Sequence, residues 1–315
     1  MAGTRKSRST KAVEDAVAVC LARHVRSGER LLLALSGGID SVVLLHAVRR
    51  LGHPLAAIHV HHGLSENADQ WAQFCSDLCS GRGLDLRVDR VTVDRSSPDG
   101  LEAAARKARH ERLQAVPADW LLLAHHCQDR AETVLFNLLR GAGVRGAGAM
   151  RESAGRLLRP LLSVGREEIL DYATAAGLSW IEDESNADTR YSRNYLRHRV
   201  LPIIESRFPA AAARLANAAG RFAEASDLLD DLATIDLGTA RPEFPVAVEL
   251  LRRLAEPRAR NVLRFLLDQS GTGIPSEERL TEALRQVLDA AADRHPAINF
   301  GARTLRRRGP WIELE

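Results

Sequence analysis

Ser36, Gly37, Gly38, Ile39, Asp40 and Ser41 combine residue types that can hold a chain of phosphates. Gly37 and Gly38 lack Cβ, so the backbone can turn tightly and come close to a ligand. Ser36 and Ser41 add hydroxyl donors. A helix starting here would offer unpartnered N–H groups and the positive end of its dipole, both suited to an anion. Asp40 would repel a bare phosphate and is better placed on a Mg²⁺ that bridges phosphate oxygens. The stretch is not GxxxxGK[ST], which needs a lysine, nor is it GxGxxG. An ordinary Gly-rich turn is the plainer alternative.

A second set of residues lies further on. Asp129 and Glu132 are three apart and share a helix face, with His125 one turn earlier. Together they suit an ammonium group or a metal; equally, carboxylates in a first turn answer the helix dipole. Arg106 and Arg109 are one turn apart, so one of them could reach a phosphate. The alternative is a solvated face with pairs such as Glu102–Arg106. Arg140–Gly148 packs four glycines and two arginines into nine residues, either a loop that touches a polyanion or a helix cap and linker. Residues 180–199 bring acids first (Glu182, Asp183, Glu184, with Ser185, Asn186 and Asp188) and then Tyr191, Arg193, Asn194, Arg197, His198 and Arg199. They either converge on a substrate or coat a solvated loop and helix.

These residues need elements to hold them. Leu31–Leu35 is an unbroken apolar run, as in a strand buried on both faces. Val42, Val43, Leu44, Leu45, Val48 and Leu51 then recur at helical spacing, so the Ser36–Ser41 turn joins a strand to a helix N-terminus. Further strands are expected at Leu55–His61, Leu84–Val93 and Asp119–Ala124. Helices are expected at Val13–Arg26, Glu66–Arg82, Asp99–Val116 and Val164–Ala176, with another that follows the polar residues His125–Thr133 and runs through Leu139, and with Leu157–Leu162 extended. His59, His61 and His62 close a strand with no carboxylate or cysteine to complete a zinc set. They read as a wall of a nucleotide pocket, because ligands bind at strand C-termini in open α/β sheets. The fold class is α/β, a doubly wound and mostly parallel sheet.

Pro202–Phe208 marks the expected boundary, giving domains 1–205 and 206–315. Beyond it, Ala210–Ile235, Val246–Ser270 and Ser276–Ala292 read as helices, with a turn at Gly271–Pro275. Ile298–Leu314 reads as a hairpin turning at Gly309-Pro310. Its Arg303, Arg306, Arg307, Arg308 and Trp311 either touch RNA or deter strand pairing at a solvated edge.

The totals are those of a globular chain: 315 residues, 45% hydrophobic and 27% charged. The net charge is only +3, so nucleic-acid binding would rest on local patches. Lysine occurs only at Lys6, Lys11 and Lys107, leaving the basic charge to arginine. Cys20, Cys75, Cys79 and Cys127 form no CxxC pair and read as free thiols. The first eleven residues carry no apolar signal core and read as a flexible basic tail. With no stretch of membrane-spanning length, a cytoplasmic protein without membrane contact is expected.

Taken in order, SGGIDS, HVHHGLS, GLEAAARKAR, LLLAHHCQDRAET, NLLRGAGVRG, RPLL and WIEDESNADTRYSRNYLRHRVLP resemble the tRNA(Ile)-lysidine synthetase family. The turn by itself resembles the pyrophosphate loop of the ATP pyrophosphatase superfamily, which cleaves ATP between the α and β phosphates. The resemblance implies an adenine nucleotide alpha hydrolase-like PP-loop domain, followed by a helical tRNA-binding domain with a short β tail. It implies ATP and Mg²⁺ as cofactors, and L-lysine and the CAU-anticodon tRNA(Ile) as partners. The sequence leaves a homodimer open. Residue by residue, it implies that Ser36, Gly37, Gly38, Ile39, Asp40 and Ser41 hold pyrophosphate, with Asp40 on the metal. Arg106 would stabilise charge on the α-phosphate. His125, Asp129 and Glu132 would shape the lysine site. Arg193 and Asn194 would contact the reacting nucleotide, and Arg140 and Arg145 would flank the RNA. The family pattern HHxDDQAET is altered here, with Gln128 for its first aspartate and Arg130 for its glutamine. Many relatives also carry a larger C-terminal region. Another ATP pyrophosphatase, such as a tRNA thiolase, would want paired cysteines. A small-molecule amidating enzyme would bring a glutaminase domain. A silent nucleotide- or tRNA-binding protein would have little use for Asp40, and release of pyrophosphate would separate it from the enzymes.

Overall fold

The computed structural model describes the chain apart from Met1, Arg95, Pro98, Asp99, residues 185–187, Ala240, Ile274, Ala292 and Asp293, and apart from the side chains of residues 2–8 and Glu102. Ser185, Asn186, the Glu102–Arg106 pair and the helix ends expected at Asp99 and Ala292 therefore lie outside the described residues. The chain divides into two compact units, Met1–Ala223 and Glu224–Glu315.

The first unit is built on β1 (Leu31–Ala34), whose leucines alternate between two cores. Leu31 and Leu33 enter one core with Val13, Val17, Val43, Leu44, Cys75 and Tyr172, and Leu32 enters the other with Ile58, Val60, Leu113, Val116 and Leu121. A strand covered on both faces has to be apolar at every position, which is what LLLAL supplies. Each leucine so enclosed contributes roughly 1.5–3 kcal/mol over leaving it in water. Beside β1 lie β2 (Leu55–His61), β3 (Leu86–Arg90), β4 (Trp120–Leu122), β5 (Ser153–Ala154) and β6 (Leu157–Leu158), in the order β3-β2-β1-β4-β6-β5. All pairings are parallel except that of the edge strand β5 with β6. The chain runs outward from β1 through β2 to β3, then returns to place β4 on the other side of β1. That reversal opens a crevice at the carboxyl ends of β1 and β4, the usual ligand position in such sheets.

Helices α1 (Ala2–His24), α2 (Ile39–Arg50), α3 (Ala68–Ser80), α4 (Leu101–Ala115), α5 (Cys127–Leu139), α6 (Val144–Ala147) and α7 (Arg166–Ala175) complete this unit together with α8 (Ser192–Tyr195), a π-helical turn at Leu196–Val200, α9 (Leu201–Arg207) and the first part of α10 (Ala211–Leu237). The expected flexible tail is instead the start of α1. Val13, Val17, Cys20 and Leu21 bury one stripe of that helix, and Ser9 donates to Asp171 of α7 at 3.0 Å. Packing on α7 and α2 thus extends a helix that composition alone would leave frayed. The expected extended run at Leu157–Leu162 pairs only at its first two residues, because Pro160 has no N–H for a ladder.

The second unit holds the rest of α10, then β7 (Val246–Ala247), α11 (Val248–Arg253), α12 (Glu256–Gln269), α13 (Glu277–Asp289), β8 (Ala297–Phe300), β9 (Arg303–Arg308) and β10 (Trp311–Leu314). The single helix expected over 246–270 is a strand and two helices. Leu254 and Ala255 are extended, and Pro257 suits only a helix's first turn. The expected hairpin is part of a four-stranded antiparallel sheet, β7-β10-β9-β8. Its arginine run is divided in role. Arg306 and Arg308 pair with Glu315, whereas Arg307 is 5% exposed. Arg307 Nη1 donates to the carbonyls of Val287 (3.0 Å) and Ala290 (2.6 Å), and its Nε to that of Gly309 (3.0 Å). A guanidinium at the C-terminus of α13 answers both the helix dipole and its last carbonyls. Among the described residues, no helix is long and apolar enough to cross a membrane.

Arg307→Met should strand those carbonyls in the interior. Hydrogen exchange of the α13 and β9 amides should then read a loss of about 2–3 kcal/mol. Unchanged protection would mean that water replaces the guanidinium.

Candidate active site

A cleft of about 590 Å³ opens at the carboxyl ends of β1, β2 and β4. The turn after β1 forms its floor. Gly37 has φ +88°, and a Cβ there would stand 2.6 Å from Ile181 Cδ1 and 3.3 Å from Cys75 Sγ. Ile181 lies this close because its N–H donates to the Gly37 carbonyl at 2.9 Å. The Gly38 N–H donates to Ser36 Oγ (3.3 Å), and Ser41 Oγ donates to the Gly38 carbonyl (2.9 Å). Ser36 Oγ and Ser41 Oγ are 3.1 Å apart, so the two hydroxyls brace the turn from within. Gly38 caps α2, whose first-turn N–H groups therefore begin at the cleft.

Asp40 stands in this first turn. Its Oδ1 is buried with no hydrogen-bond partner, 3.8 Å from His126 Nε2 and 3.7 Å from Arg166 Nη1. Burial, reinforced by the charge of Asp129, raises its pKa above the usual carboxylate range. An orphaned carboxylate oxygen beside a phosphate-type turn fits a divalent cation. The described residues hold no group of three or more His, Cys, Asp and Glu that could cage a metal. A hard cation that keeps water and phosphate oxygens as most of its ligands, as Mg²⁺ does, suits one such carboxylate.

The opposite wall comes from β4 and α5. His126 caps α5: its Nδ1 accepts from the Gln128 N–H at 3.3 Å, and Asp129 Oδ2 accepts from the His126 N–H at 3.0 Å. This reciprocal cap fixes the carboxylate of Asp129 at the cleft. Arg197, in the π-helical turn, donates from Nη2 to Asp129 Oδ1 (3.0 Å) and Glu132 Oε2 (2.9 Å), and from Nε to Glu132 Oε1 (2.6 Å). Burial opposes the charge of Asp129, but His126, His125, the His126 amide and Arg197 prevail and hold the pKa low. Burial raises that of Glu132 despite Arg197. His125 lines the wall half-buried, and burial pulls its pKa down to about 3. Arg106 and Arg109 of α4 line the cleft, and Arg156 anchors that helix by donating to the carbonyls of Leu113, Val116 and Ala118.

The comparisons with known proteins agree with this geometry. The family profile described as "PP-loop domain" matches residues 6–204, and that described as "TilS substrate binding domain" matches residues 247–310. The chain is 49% identical to the tRNA(Ile)-lysidine synthase of Azoarcus sp. strain BH72 over 282 residues, 86% of this chain and 63% of that one. It is 46% identical to the tRNA(Ile)-lysidine synthase of Aromatoleum aromaticum, over 93% of this chain and 71% of the relative. The chain belongs to the tRNA(Ile)-lysidine synthase family. It spans about two thirds of the length of these curated relatives. Among solved structures, the U34-tRNA thiolase NcsA from Methanococcus maripaludis, with its [4Fe-4S] cluster, is similar with a TM-score of 0.61 at 19% identity, covering 69% of this chain and 80% of that one. That likeness is one of fold alone. Here Cys20, Cys75, Cys79 and Cys127 are free and buried.

Of the residues expected from this lysidine synthase family, Ser36, Gly38, Asp40, Ser41, Arg106, His125 and Asp129 line the one cleft, with His59, His61 and His62 on its wall. Gly37 and Ile39 support the turn from behind, and both are buried. Glu132 lies one turn deeper, reached through Arg197. Asn194 donates to the Asp188 carbonyl at 3.0 Å. It shares α8 with Arg193, and α8 packs on α5 outside the cleft lining. Arg140 and Arg145 lie beyond the far end of α5, roughly 20 Å of helix away. Arg140 stacks over Phe136 at 5.2 Å, and Asn137 holds the following loop through the Gly146 carbonyl at 2.7 Å. That loop contains the one-turn helix α6.

Arg159, Arg166 and the pairing role of Arg197 escaped the sequence reading. Arg159 carried a signal, since it directly follows a strand, where α/β sheets place their ligand groups. Gln128 accepts from the Arg166 N–H at 3.0 Å and so serves the start of α7. Arg130 lies against Gly220 of α10.

The two glycines of the turn should respond differently to alanine. Gly38 has ordinary backbone angles and only a 3.5 Å contact to meet, so Gly38→Ala should change stability by less than about 0.5 kcal/mol. Gly37→Ala should cost about 1–2 kcal/mol for the left-handed backbone even if Ile181 swings aside. Urea unfolding of both variants tests the pair, and equal losses would refute the assignment.

Proposed function

We propose that this chain ligates L-lysine to C2 of the wobble cytidine in the CAU anticodon of tRNA(Ile). ATP activates the base. The cytidine O2 attacks the α-phosphorus and pyrophosphate leaves; the free ε-amine of lysine then attacks C2, AMP leaves, and lysidine results. Lysidine pairs with A rather than G, so the tRNA changes from methionine to isoleucine identity. A tRNA substrate implies a cytoplasmic setting. What carries the reading is one cleft in a member of this family that joins the Ser36–Ser41 turn, an orphaned Asp40 oxygen, Arg106, His125 and Asp129.

Ser36–Ser41 and the first-turn amides of α2 bind the β and γ phosphates, and Asp40 would hold a Mg²⁺, which would supply positive charge to the phosphate oxygens. Arg106 stabilises the charge that builds on the α-phosphate. Asp129 and Glu132 take the lysine ammonium. Two carboxylates against the single guanidinium of Arg197, with Asp40 nearby, leave an excess of negative charge for it. Lysine must share these oxygens with Arg197 or displace it. Arg193 and Asn194 contact the reacting nucleotide, while Arg140 and Arg145 flank the RNA.

The deciding assay is transfer of radiolabelled L-lysine, with ATP and Mg²⁺, to transcripts of isoleucine and methionine tRNAs that both carry CAU. Label on the isoleucine transcript alone is expected. ATP–pyrophosphate exchange without label on either would redirect the reading to another nucleophile or another RNA. Asp129→Asn and Glu132→Gln should raise KM for lysine about tenfold or more, near 1.4 kcal/mol, with KM for ATP little changed. Equal effects on both constants would remove these residues from the lysine site.

A further inference from the structure

Arg159 closes β6 with its side chain turned into the cleft wall. Its Nε donates to His125 Nδ1 at 3.2 Å, and its Nη1 donates to the Arg151 carbonyl at 2.8 Å. The second bond fixes the plane of the guanidinium, so the first is directional. A guanidinium has five N–H groups and no acceptor. His125 Nδ1 must therefore bring a lone pair. An imidazolium, or the tautomer with hydrogen on Nδ1, would set N–H against N–H.

We propose that Arg159 is the positioning residue that holds His125 as a neutral imidazole with its hydrogen on Nε2. What the ring then offers the reaction is a hydrogen-bond donor rather than a base. This rests on the adenylation reading above and adds His125 to it: the ring lines the same cleft as Arg106, and the negative charge growing on the phosphate needs donors already in place.

The groups facing the ring explain why a fixing residue is needed. Asp129 on α5 favours a charged ring, whereas Arg106 and Arg109 on α4 and Arg159 itself oppose it. Burial opposes the charge most strongly of all. Removing Arg159 deletes one opposing charge and frees Nδ1 to take a proton. The ring could then form an imidazolium paired with Asp129, or turn its lone pair toward the cleft. Either change takes the Nε2–H donor from the cleft, the first by turning the charged ring toward Asp129 and the second by leaving Nε2 without hydrogen.

The test is ¹⁵N NMR of the full chain with labelled histidine, His125 being assigned by its loss in His125→Gln. In the parent, the His125 signals should show hydrogen on Nε2 and should not titrate between about pH 5 and 8. In Arg159→Met the ring should begin to titrate in that window or shift its hydrogen to Nδ1. Adenylation should slow roughly ten- to hundredfold, the usual loss when a group that orients a reacting side chain is removed. Its rate profile should gain an acid limb. Arg159→Lys keeps a donor without an acceptor and should restore the Nε2 tautomer and part of the rate. It also serves as the test variant, through a tautomer restored or lost, if Arg159→Met does not fold. A parent ring with hydrogen on Nδ1 would overturn the proposal, as would an Arg159→Met ring unchanged in tautomer and titration. So would a loss confined to KM for ATP, which would make Arg159 a phosphate contact. The NMR result does not depend on lysine transfer. A parent that fails the transfer assay but shows the Nε2 tautomer refutes the reaction and leaves the contact standing; the reverse pattern refutes only the contact.

Discussion

Acidic groups taken out of water must be answered by cations or donors, and Asp40, Asp129 and Glu132 impose that demand on the whole cleft. Arg197 answers two of them at once, with three charge-assisted hydrogen bonds. Its planar fork can reach both carboxylates, which a lysine's single ammonium could not do with the same geometry. The π-helical turn that carries Arg197 packs on α5, so the last part of the first unit is tied to the sheet's carboxyl edge. Asp40 Oδ1 is left without a hydrogen bond, and that imbalance is the strongest local argument for a cation.

The backbone of the cleft follows from a different constraint. A parallel sheet whose strand order reverses beside β1 leaves a gap at its carboxyl edge that side chains do not fill. The turn after β1 must run along this gap, pass Ile181 at hydrogen-bonding distance and still start a helix. Gly37 meets the first two requirements by lacking a side chain. Gly38 meets the third with ordinary angles. The neighbouring wall is made rigid by the reciprocal cap of His126 with Asp129 and by the bond that Arg159 donates to His125. Binding groups held in this way need little rearrangement when a ligand arrives.

Much of this was legible along the chain. An apolar run, SGGIDS and a helical repeat identify a strand, turn and helix whose termini lie within three residues of the observed ones, since period and turn chemistry are local. Helix α1 was misjudged because it packs on α7, where Ser9 meets Asp171, 162 positions further along the chain. Residues 246–270 were misjudged because the hydrophobic period hid the break that Pro257 marks. Arg307, in a basic run that suggested either RNA or solvent, is buried because the end of α13 happens to face it.

The sequence by itself determined the element order from α1 to α5, the phosphate-type turn, the carboxylate pair on one helix face and the family, because each is written in residue type and short spacing. Only the tertiary structure decided the partners. Arg197 lies 65 positions beyond Glu132, and Arg159 lies 34 beyond His125. Nothing in local spacing says which distant guanidinium will meet a buried acid or a buried ring. That choice is made by sheet order and helix packing. It decides whether a carboxylate is already paired, and on which nitrogen a histidine carries its hydrogen.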